Sequence, residues 1–271
     1  MKKICLITTL VSLSVFALCS CGQSGSASAT LKKVTVACTP VPHAEIMNEI
    51  KGMMKDKGFD LEVKEFSDYV TPNLAVDQGE VDANYFQHKP YLDDFNAERG
   101  TKIVTIAAVH YEPFGVYSGT KDSLSLSTGD KIAVPNDVTN EARSLNLLHD
   151  AGIITLKPNV GLKATKLDIV ENPYNVEIVE LESAQIPRAL GSVALACMNG
   201  NYAMEAGYSA SDAIYLEKQD SEAAKTYANI VCVKEGNENA DFAKALAECV
   251  KSKTVKDFVD KKYNKSVIYM D

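Results

Sequence analysis

Short apolar runs of β-type residues alternate with amphipathic helical patterns along most of this chain, and no other feature constrains its fold as strongly. Runs at residues 33–38, 61–66 and 103–110 are separated by helical patterns that include residues 42–57 and 89–98. Strands that alternate with helices form largely parallel sheets with helices on both faces. The alternation therefore predicts an α/β fold.

The alternation occurs twice, which predicts two lobes. The second set of runs begins at residue 131, and the two sets meet near residues 115–119. We predict that residues 31–117 and 230–271 form the first lobe and that residues 118–229 form the second. Ligands of open α/β sheets bind beyond the carboxyl ends of the strands, so the cleft between the lobes is the predicted ligand site.

The first residues have the pattern of a targeting segment. Lys2 and Lys3 precede an apolar stretch from Ile4 to Leu18. This stretch is shorter than the roughly 20 residues that a membrane-spanning helix needs, and its flanks are typical of a secretory signal peptide. We therefore predict that residues 1–20 are a signal peptide.

The apolar stretch ends in the letters LCSCG, which resemble a bacterial lipobox. We predict cleavage after Ser20 and lipidation of Cys21; ordinary cleavage that leaves Cys21 as a plain thiol is the alternative. Residues 22–30 are Gly, Ser and Ala with one Gln and one Thr, a composition typical of a flexible tether. These features together predict an exported protein held at the outer face of the cell membrane by its lipid.

Composition and motifs exclude several classes of function. The formal net charge of −8 argues against nucleic-acid binding, which needs clustered Lys and Arg. The nucleophile motif G-x-S-x-G and the zinc-protease motif H-E-x-x-H are both missing from the sequence. We therefore expect a binding protein rather than an enzyme, without a cofactor.

The seven cysteines favour buried thiols over disulfides. Two leave with the predicted signal peptide and Cys21 takes the lipid, so Cys38, Cys197, Cys232 and Cys249 remain. Three of these four lie in apolar, strand-like runs, where a Cys is usually a small buried hydrophobe. No C-x-x-C pair occurs, so the cysteines give no support for a zinc or redox site.

Polar and aromatic residues cluster where the predicted strands end. The clusters are TPVPH at 39–43, NYFQH at 84–88, HYEPF at 110–114, PND at 135–137 and MNGNY at 198–202. Arg143 lies in the first turn of the helix that follows the strand at 131–135. A helix N-terminus combined with an Arg fork is a good carboxylate receptor, although a solvated Arg on a helix face has the same spacing.

At these clusters the sequence resembles the NlpA/MetQ family of methionine-binding lipoproteins. The matching stretches are residues 39–43, 66–92, 109–118, 134–148, 167–173 and 199–203, in the family's order and over nearly the whole mature chain. The resemblance implies a two-lobed periplasmic-binding-protein fold of type II. It also implies that the protein, expected to be a monomer, supplies an ABC transporter made of a permease and an ATPase.

The resemblance also implies a set of ligand-binding residues. Arg143 would meet the ligand's carboxylate, and Asn199 and Asn229 would hydrogen-bond its polar end. The side-chain pocket would be walled by Tyr69, Phe86, His88 and Tyr111. Aromatic rings pack well against a thioether, which agrees with a methionine ligand. Two departures from the family pattern, Val138 and Cys38, do not fall among these contacts.

Several alternatives remain open from the residues alone. The ligand is L- or D-methionine, a methionine-containing dipeptide or another small amino acid. Tyr69 and Phe86 could be core aromatics, Asn201 competes with Asn199 for the same role, and Glu112 could pair with an amine or lie at the surface.

Two other functions are also compatible with the sequence. The first is a metal-binding receptor, because His88 and His110 could converge on the cleft. However, no two of the four His have the i, i+4 spacing useful for zinc, and we expect no metal. The second is a surface lipoprotein without a transport role. The polar clusters at the strand ends argue against it, because they favour a ligand-binding cleft.

Overall fold

The structure, a computed structural model, describes residues 30–218 and 225–270. The predicted signal peptide, Cys21 and nearly all of the predicted tether lie outside these described residues. Within the described residues, no helix is long and apolar enough to cross a membrane.

Thirteen strands and nine α-helices occur in the described residues. The strands are β1 (Lys32–Cys38), β2 (Phe59–Glu65), β3 (Ala83–His88), β4 (Ile103–Tyr111), β5 (Gly115–Ser118), β6 (Lys131–Pro135), β7 (Thr155–Leu156), β8 (Ile169–Glu171), β9 (Glu177–Leu181), β10 (Leu195–Met198), β11 (Tyr215–Leu216), β12 (Asn229–Lys234) and β13 (Ile268–Tyr269). The helices are α1 (Glu45–Glu49), α2 (Lys51–Asp56), α3 (Thr71–Gln78), α4 (Lys89–Arg99), α5 (Val138–Asp150), α6 (Ile186–Ala189), α7 (Gly200–Glu205), α8 (Asp241–Val250) and α9 (Lys253–Lys262).

The first sheet has six strands in the order β13, β4, β12, β3, β1, β2. Strand β1 runs parallel to β2 and β3, so that Val36 pairs with Val63 on one side and with Ala83 on the other. Strand β12 runs antiparallel to β3 and β4. The last five residues of β1 are buried, as expected for a central strand that is covered on both faces.

The second sheet has five strands in the order β11, β5, β10, β6, β9. Strand β6 is parallel to β9 and β10, and β5 is antiparallel to β10. Each sheet with its helices forms one lobe, which confirms the predicted two-lobed α/β fold. A separate two-stranded sheet joins β7 and β8.

The predicted lobe boundaries differ from the strand pairing at both crossings. The sequence predicts residues 115–117 in the first lobe, but β5 pairs with β10 and β11 in the second sheet. It predicts Asn229 in the second lobe, but Asn229 begins β12 and pairs with His88 and His110 in the first sheet. A strand as short as β5 has no apolar period that shows which sheet it joins, so only backbone pairing decides its place.

The helix predicted over residues 42–57 is interrupted. The structure has a turn at Pro40–Ala44, then α1 and α2 with Ile50 between them. Ile46, Ile50 and Met54 are all fully buried in the core of the first sheet. The apolar face is therefore buried although the run of helix hydrogen bonds is interrupted. This is possible because helices in proteins gain most of their stability from packing.

Each sheet packs against its own helices through an apolar core. In the first lobe, Val36 of β1 belongs to the same buried cluster as Leu246 of α8 and Val255 of α9. The two C-terminal helices therefore cover the first sheet, although more than a hundred residues separate them from β4. In the second lobe, α5 buries Leu145 and Leu148 against β6 and β10.

The four cysteines of the globular part are buried free thiols: Cys38, Cys197, Cys232 and Cys249. This agrees with the expectation that they act as small hydrophobes. Burial raises the pKa of the Cys197 and Cys232 thiols to about 12, so both stay protonated at neutral pH.

Three strand-to-helix connections meet at the carboxyl ends of the strands. His88 ends β3, and its Nδ1 accepts a hydrogen bond of 3.2 Å from Tyr91 N–H, which caps α4. Asp137 follows β6 and caps α5 by accepting a hydrogen bond of 2.9 Å from Asn140 N–H. Asn199 follows β10 and precedes α7. The caps of α4 and α5 fix the start of these two helices and thereby the side chains of their first turns.

Candidate functional site

A cavity with a volume of about 330 Å³ lies where these connections meet. Six of the seven predicted binding residues line it: Tyr69, Phe86, His88, Arg143, Asn199 and Asn229. The seventh, Tyr111, lies outside the lining, where its hydroxyl donates to Glu217 Oε2 at 2.5 Å. The other lining residues are Gln87, Tyr91, Glu112, Asn140, Gly200 and Asn201.

Arg143 is the one Arg among the described residues that line this cavity. Its side chain is only 5% exposed and forms a buried ion pair with Glu217, with 2.6 Å between Nη2 and Oε2. The guanidinium carbon lies 3.9 Å from the centre of the Tyr227 ring. Arg143 is therefore buried and lines the cavity, which excludes a solvated Arg, but it is the sixth residue of α5 and lies beyond the first turn predicted for it.

Two buried amide atoms in the cavity have no hydrogen-bond partner among the described residues: Asn199 Oδ1 and Asn201 Nδ2. The opposite ends of both amides are paired, since Asn199 Nδ2 donates to Asn140 Oδ1 at 2.9 Å and Asn201 Oδ1 accepts from the Tyr69 hydroxyl at 2.5 Å. Buried polar groups are almost always paired in folded proteins. One unpaired acceptor and one unpaired donor therefore indicate a ligand that carries both a donor and an acceptor.

His88 is neutral and its tautomer is fixed by its partners. Nδ1 accepts from Tyr91 N–H, so the ring proton is on Nε2, which donates to Asn140 Oδ1 at 3.1 Å. Burial, and next the positive charge of Arg143, lower the pKa of His88 to about 3. The imidazole is a neutral donor at physiological pH, and it links β3 of the first lobe to α5 of the second.

Four aromatic rings form one wall of the site, which we call the aromatic wall: Tyr69, Phe86, Tyr91 and Tyr202. The centre of the Tyr69 ring lies 4.9 Å from that of Tyr202, and 5.8 Å from those of Phe86 and Tyr91. Three of these rings also border the cavity, so Tyr69 and Phe86 are packed as core aromatics, while their contact with a ligand stays a prediction.

Glu112 is buried at the base of the cavity and not at the surface. Its Oε1 accepts from His110 Nε2 at 2.7 Å, and its Oε2 accepts from Asn201 N–H at 2.6 Å. Burial raises the pKa of this carboxyl. A Cβ atom on Gly200 would come within 2.8 Å of Glu112 Cβ, so only glycine permits this approach of the α7 turn to the carboxylate.

His43, His110 and Glu112 are close enough together to be considered as metal ligands. However, His110 Nε2 and Glu112 Oε1 are 2.7 Å apart, whereas two ligand atoms around a tetrahedral zinc stand about 3.3 Å apart. His43 Nε2 lies 3.0 Å from Asn229 Oδ1, and burial lowers the pKa of His43 to about 4. These distances fit a hydrogen-bonded network that supports Asn229 better than they fit ion coordination.

Several residues around the cavity were not singled out from the sequence. Glu217 and Tyr227 lie in no recognisable sequence motif, and only the tertiary structure brings them into contact with Arg143. Asn140 and Tyr91 lie within stretches that resemble the family and follow strand ends, which is the signal that could have identified them.

The two lobes and the closed polar and aromatic cavity define a protein of the periplasmic-binding-protein type. The family model described as NlpA lipoprotein matches residues 34–270. The chain therefore belongs to the NlpA lipoprotein family.

Similar proteins agree with this assignment. The chain is 41% identical over 253 residues to the D-methionine-binding lipoprotein MetQ of Salmonella typhimurium, covering 92% of this chain and 91% of that one. A crystal structure of a lipoprotein from Ruminococcus gnavus is 57% identical, with a TM-score of 0.87 and coverage of 89% and 100% of the two chains. A nutrient-binding protein from Burkholderia cenocepacia, solved bound to methionine, is 40% identical, with a TM-score of 0.83 and coverage of 88% and 100%.

Proposed function

We propose that this protein is a lipid-anchored extracytoplasmic receptor that captures methionine and delivers it to an ABC importer. The observation that carries the proposal is the pair of unpaired amide atoms, Asn199 Oδ1 and Asn201 Nδ2, beside a buried Arg143. An amino acid zwitterion supplies what each of these groups lacks. The methionine-bound relative from Burkholderia cenocepacia supports the choice of ligand.

The ligand's three parts match three regions of the cavity. Its carboxylate pairs with Arg143 and accepts from Asn201 Nδ2. Its ammonium group donates to Asn199 Oδ1 and faces Glu112. Its thioether side chain packs against the aromatic wall, where sulfur–ring contacts are favourable. His88 and Asn229 complete the polar side, while Tyr111 acts from behind Arg143.

A free amino acid is the first candidate ligand, because its carboxylate and ammonium groups match Arg143 and the two unpaired amide atoms. A methionine-containing dipeptide is the second candidate. The buried polar side chains that line the cavity can bind a ligand. Among the described residues of this lining there is no nucleophile–base pair for catalysis.

Calorimetric titration tests the proposal. The full chain is unfolded and refolded to remove any ligand carried through purification, and is then titrated with L-methionine, D-methionine, glycyl-methionine and alanine. We expect saturable binding of at least one methionine compound and weaker binding of alanine. A refolded protein that gives no heat with any of the three methionine compounds would reject the proposal.

Membrane anchoring is tested separately. The lipobox-like letters LCSCG support lipidation at Cys21, which would hold the protein beside a permease and its ATPase, and we take the receptor to act as a monomer. The Cys21→Ala variant should leave the membrane fraction and appear in the soluble extracytoplasmic fraction, whereas Cys38→Ala should not. Equal membrane retention of both variants would contradict the anchor.

A further inference from the structure

One edge of the Arg143 guanidinium is fully engaged by the protein itself. Nε donates to Glu217 Oε1 at 3.2 Å, and Nη2 donates both to Glu217 Oε2 at 2.6 Å and to the Glu112 carbonyl oxygen at 3.1 Å. Within residues 30–218 and 225–270, every hydrogen bond of Arg143 whose donor atom is assigned uses Nε or Nη2. The edge of the guanidinium that faces Glu217 is therefore closed to the ligand's carboxylate.

Glu217 is held as firmly as Arg143. Besides the two bonds from Arg143, its Oε2 accepts from the Tyr111 hydroxyl at 2.5 Å and lies 3.4 Å from Phe114 N. Its own backbone N–H donates to the Phe114 carbonyl at 2.9 Å. The side chain is 11% exposed. Because Tyr111 and Phe114 lie where the chain crosses between the sheets, the Glu217 carboxylate is fixed at the junction of the two lobes.

Stacking restrains the guanidinium in the remaining directions. Its carbon lies 3.9 Å from the centre of the Tyr227 ring, 4.9 Å from that of Phe114 and 5.8 Å from that of Tyr111. A bidentate carboxylate pair fixes the plane of an Arg, and ring faces exclude motion out of that plane. Rotation of Arg143 toward a differently placed ligand would break all of these contacts.

The ion pair also sets the charge of the site. The positive charge of Arg143 is matched by Glu217, and His88 is neutral. Glu112, the acid that lines the cavity, carries either no charge or one negative charge. A ligand with a net negative charge therefore enters a site with no uncompensated positive charge, whereas a zwitterion brings its own balance.

We infer that Glu217 is a positioning residue of this receptor: it fixes Arg143 so that one edge of the guanidinium is closed to the ligand, and it makes the site selective for zwitterions over anions. This inference rests on the proposed function, because it concerns the same amino acid site. The carboxylate does not touch the ligand; it acts through Arg143.

The test compares Glu217→Gln with Glu177→Gln, which removes the same charge at an exposed position of β9 in the same lobe. Each protein is titrated with L-methionine and with its des-amino analogue, a monoanion of nearly the same shape. In Glu217→Gln we expect about tenfold weaker methionine binding and an anion-to-methionine affinity ratio that rises about tenfold. Glu177→Gln should match the wild type in both.

A purely structural role of Glu217 would weaken both ligands equally and leave the ratio unchanged, and that result would overturn the inference. The Glu217→Asp variant retains the charge but shortens the side chain by one methylene group. It should restore the ratio to the wild-type value while methionine binding stays weak. If Glu217→Gln does not fold, unchanged methionine affinity in Glu217→Asp is the result that overturns the inference. A wild-type protein that binds no methionine compound rejects the proposed function instead.

Discussion

At the scale of single residues, the site depends on side chains that are buried and only partly paired. Arg143 offers one edge, Asn199 one acceptor and Asn201 one donor, while the rest of each group is hydrogen-bonded to the protein. Leaving such groups unpaired in a dry cavity costs about 1–3 kcal/mol each. A ligand that pairs them recovers this energy, and the groups need no rearrangement because the protein already holds them in place.

Replacing Arg143 by Ala should weaken methionine binding by about 2–5 kcal/mol, which is at least about thirtyfold in the dissociation constant. The loss has two causes, since the ligand loses its carboxylate partner and Glu217 remains buried without its cation. Arg188→Ala, at an exposed position of α6 in the same lobe, is the matched control. An Arg143→Ala protein with the wild-type dissociation constant in calorimetry would contradict the assignment of the carboxylate site.

At the scale of elements, α5 supplies two polar residues of the cavity lining, Asn140 and Arg143. Its N-cap Asp137 accepts from Asn140 N–H, and both Asp137 carboxylate oxygens lie 3.0 Å from Asn140 Nδ2. This orients Asn140 so that its Oδ1 receives His88 and Asn199. One turn later, Arg143 reaches the cavity from the same helix. The cap therefore contributes both to the stability of α5 and to the geometry of the site.

Asp137→Ala should lower the free energy of unfolding by about 0.5–2 kcal/mol and should also weaken methionine binding, because Asn140 loses its orientation. The control is Ser252→Ala, which removes the N-cap of α9, a hydroxyl that accepts from Val255 N–H at 3.4 Å. It should lower stability without changing the dissociation constant. Chemical denaturation and calorimetry measure the two effects, and equal dissociation constants for both variants would exclude a role of the cap in binding.

The first turn of α5 also contains a carboxyl with a displaced pKa. Burial, and next the neighbouring Glu180, raise the pKa of Glu141 from 4.5 to about 7. In the folded protein Glu141 therefore keeps a proton between about pH 4.5 and 7 that the unfolded chain has released. The folded state binds more protons in this window, so this group makes the protein less stable as the pH rises from 4.5 to 7.

Glu141→Gln should remove that dependence. The stability of the variant relative to the wild type should increase as the pH rises from 4.5 to 8, and most of this increase should occur below pH 7. Thermal unfolding at each pH measures the difference. Glu177→Gln, at an exposed site of the same lobe, is the matched control for the loss of one carboxyl group. A constant difference between Glu141→Gln and the wild type would show that the folded protein does not hold this proton.

At the scale of the whole molecule, hydrogen bonds between the lobes keep the cavity closed. The Tyr202 hydroxyl of the second lobe donates to the Ser67 carbonyl of the first at 3.1 Å, and His88 bonds to Asn140 across the same cleft. A ligand favours the closed form to the extent that it binds that form more tightly than the open one. Bonds between the lobes and bonds to the ligand therefore stabilise the same state.

Tyr202→Phe should raise the dissociation rate of methionine and weaken binding by about 0.5–1.5 kcal/mol, because it removes one bond of the closed form and leaves the ring in place. Tyr215→Phe removes a bond of similar length, 3.2 Å to the Asp150 carbonyl, that lies within the second lobe. Stopped-flow measurement of the dissociation rate distinguishes the two variants. Equal rates would show that the Tyr202 bond does not contribute to closure.

The local pattern of the sequence determined much of this protein. The alternation of strands and helices predicted the α/β fold and its two lobes, and the position of Arg143 in the helix after β6 made it a candidate carboxylate receptor. The bounds of α4 differ from the predicted ones by one residue at one end. These features depend on periods of 2 and 3.6 residues and on strand ends, which are visible in any short stretch of chain.

Only the tertiary structure decided what pairs with these residues. Glu217 lies 74 residues from Arg143, and Glu112 lies 89 residues from the Asn201 amide that it accepts. The position of Glu217 or Glu112 in the sequence does not show that the side chain is buried or which partner it contacts. It also does not show that Tyr111 contacts Glu217 rather than the cavity. The sheet to which β5 belongs was undetermined for the same reason. Burial and pairing depend on which distant segments share a sheet edge, and no local period carries that information.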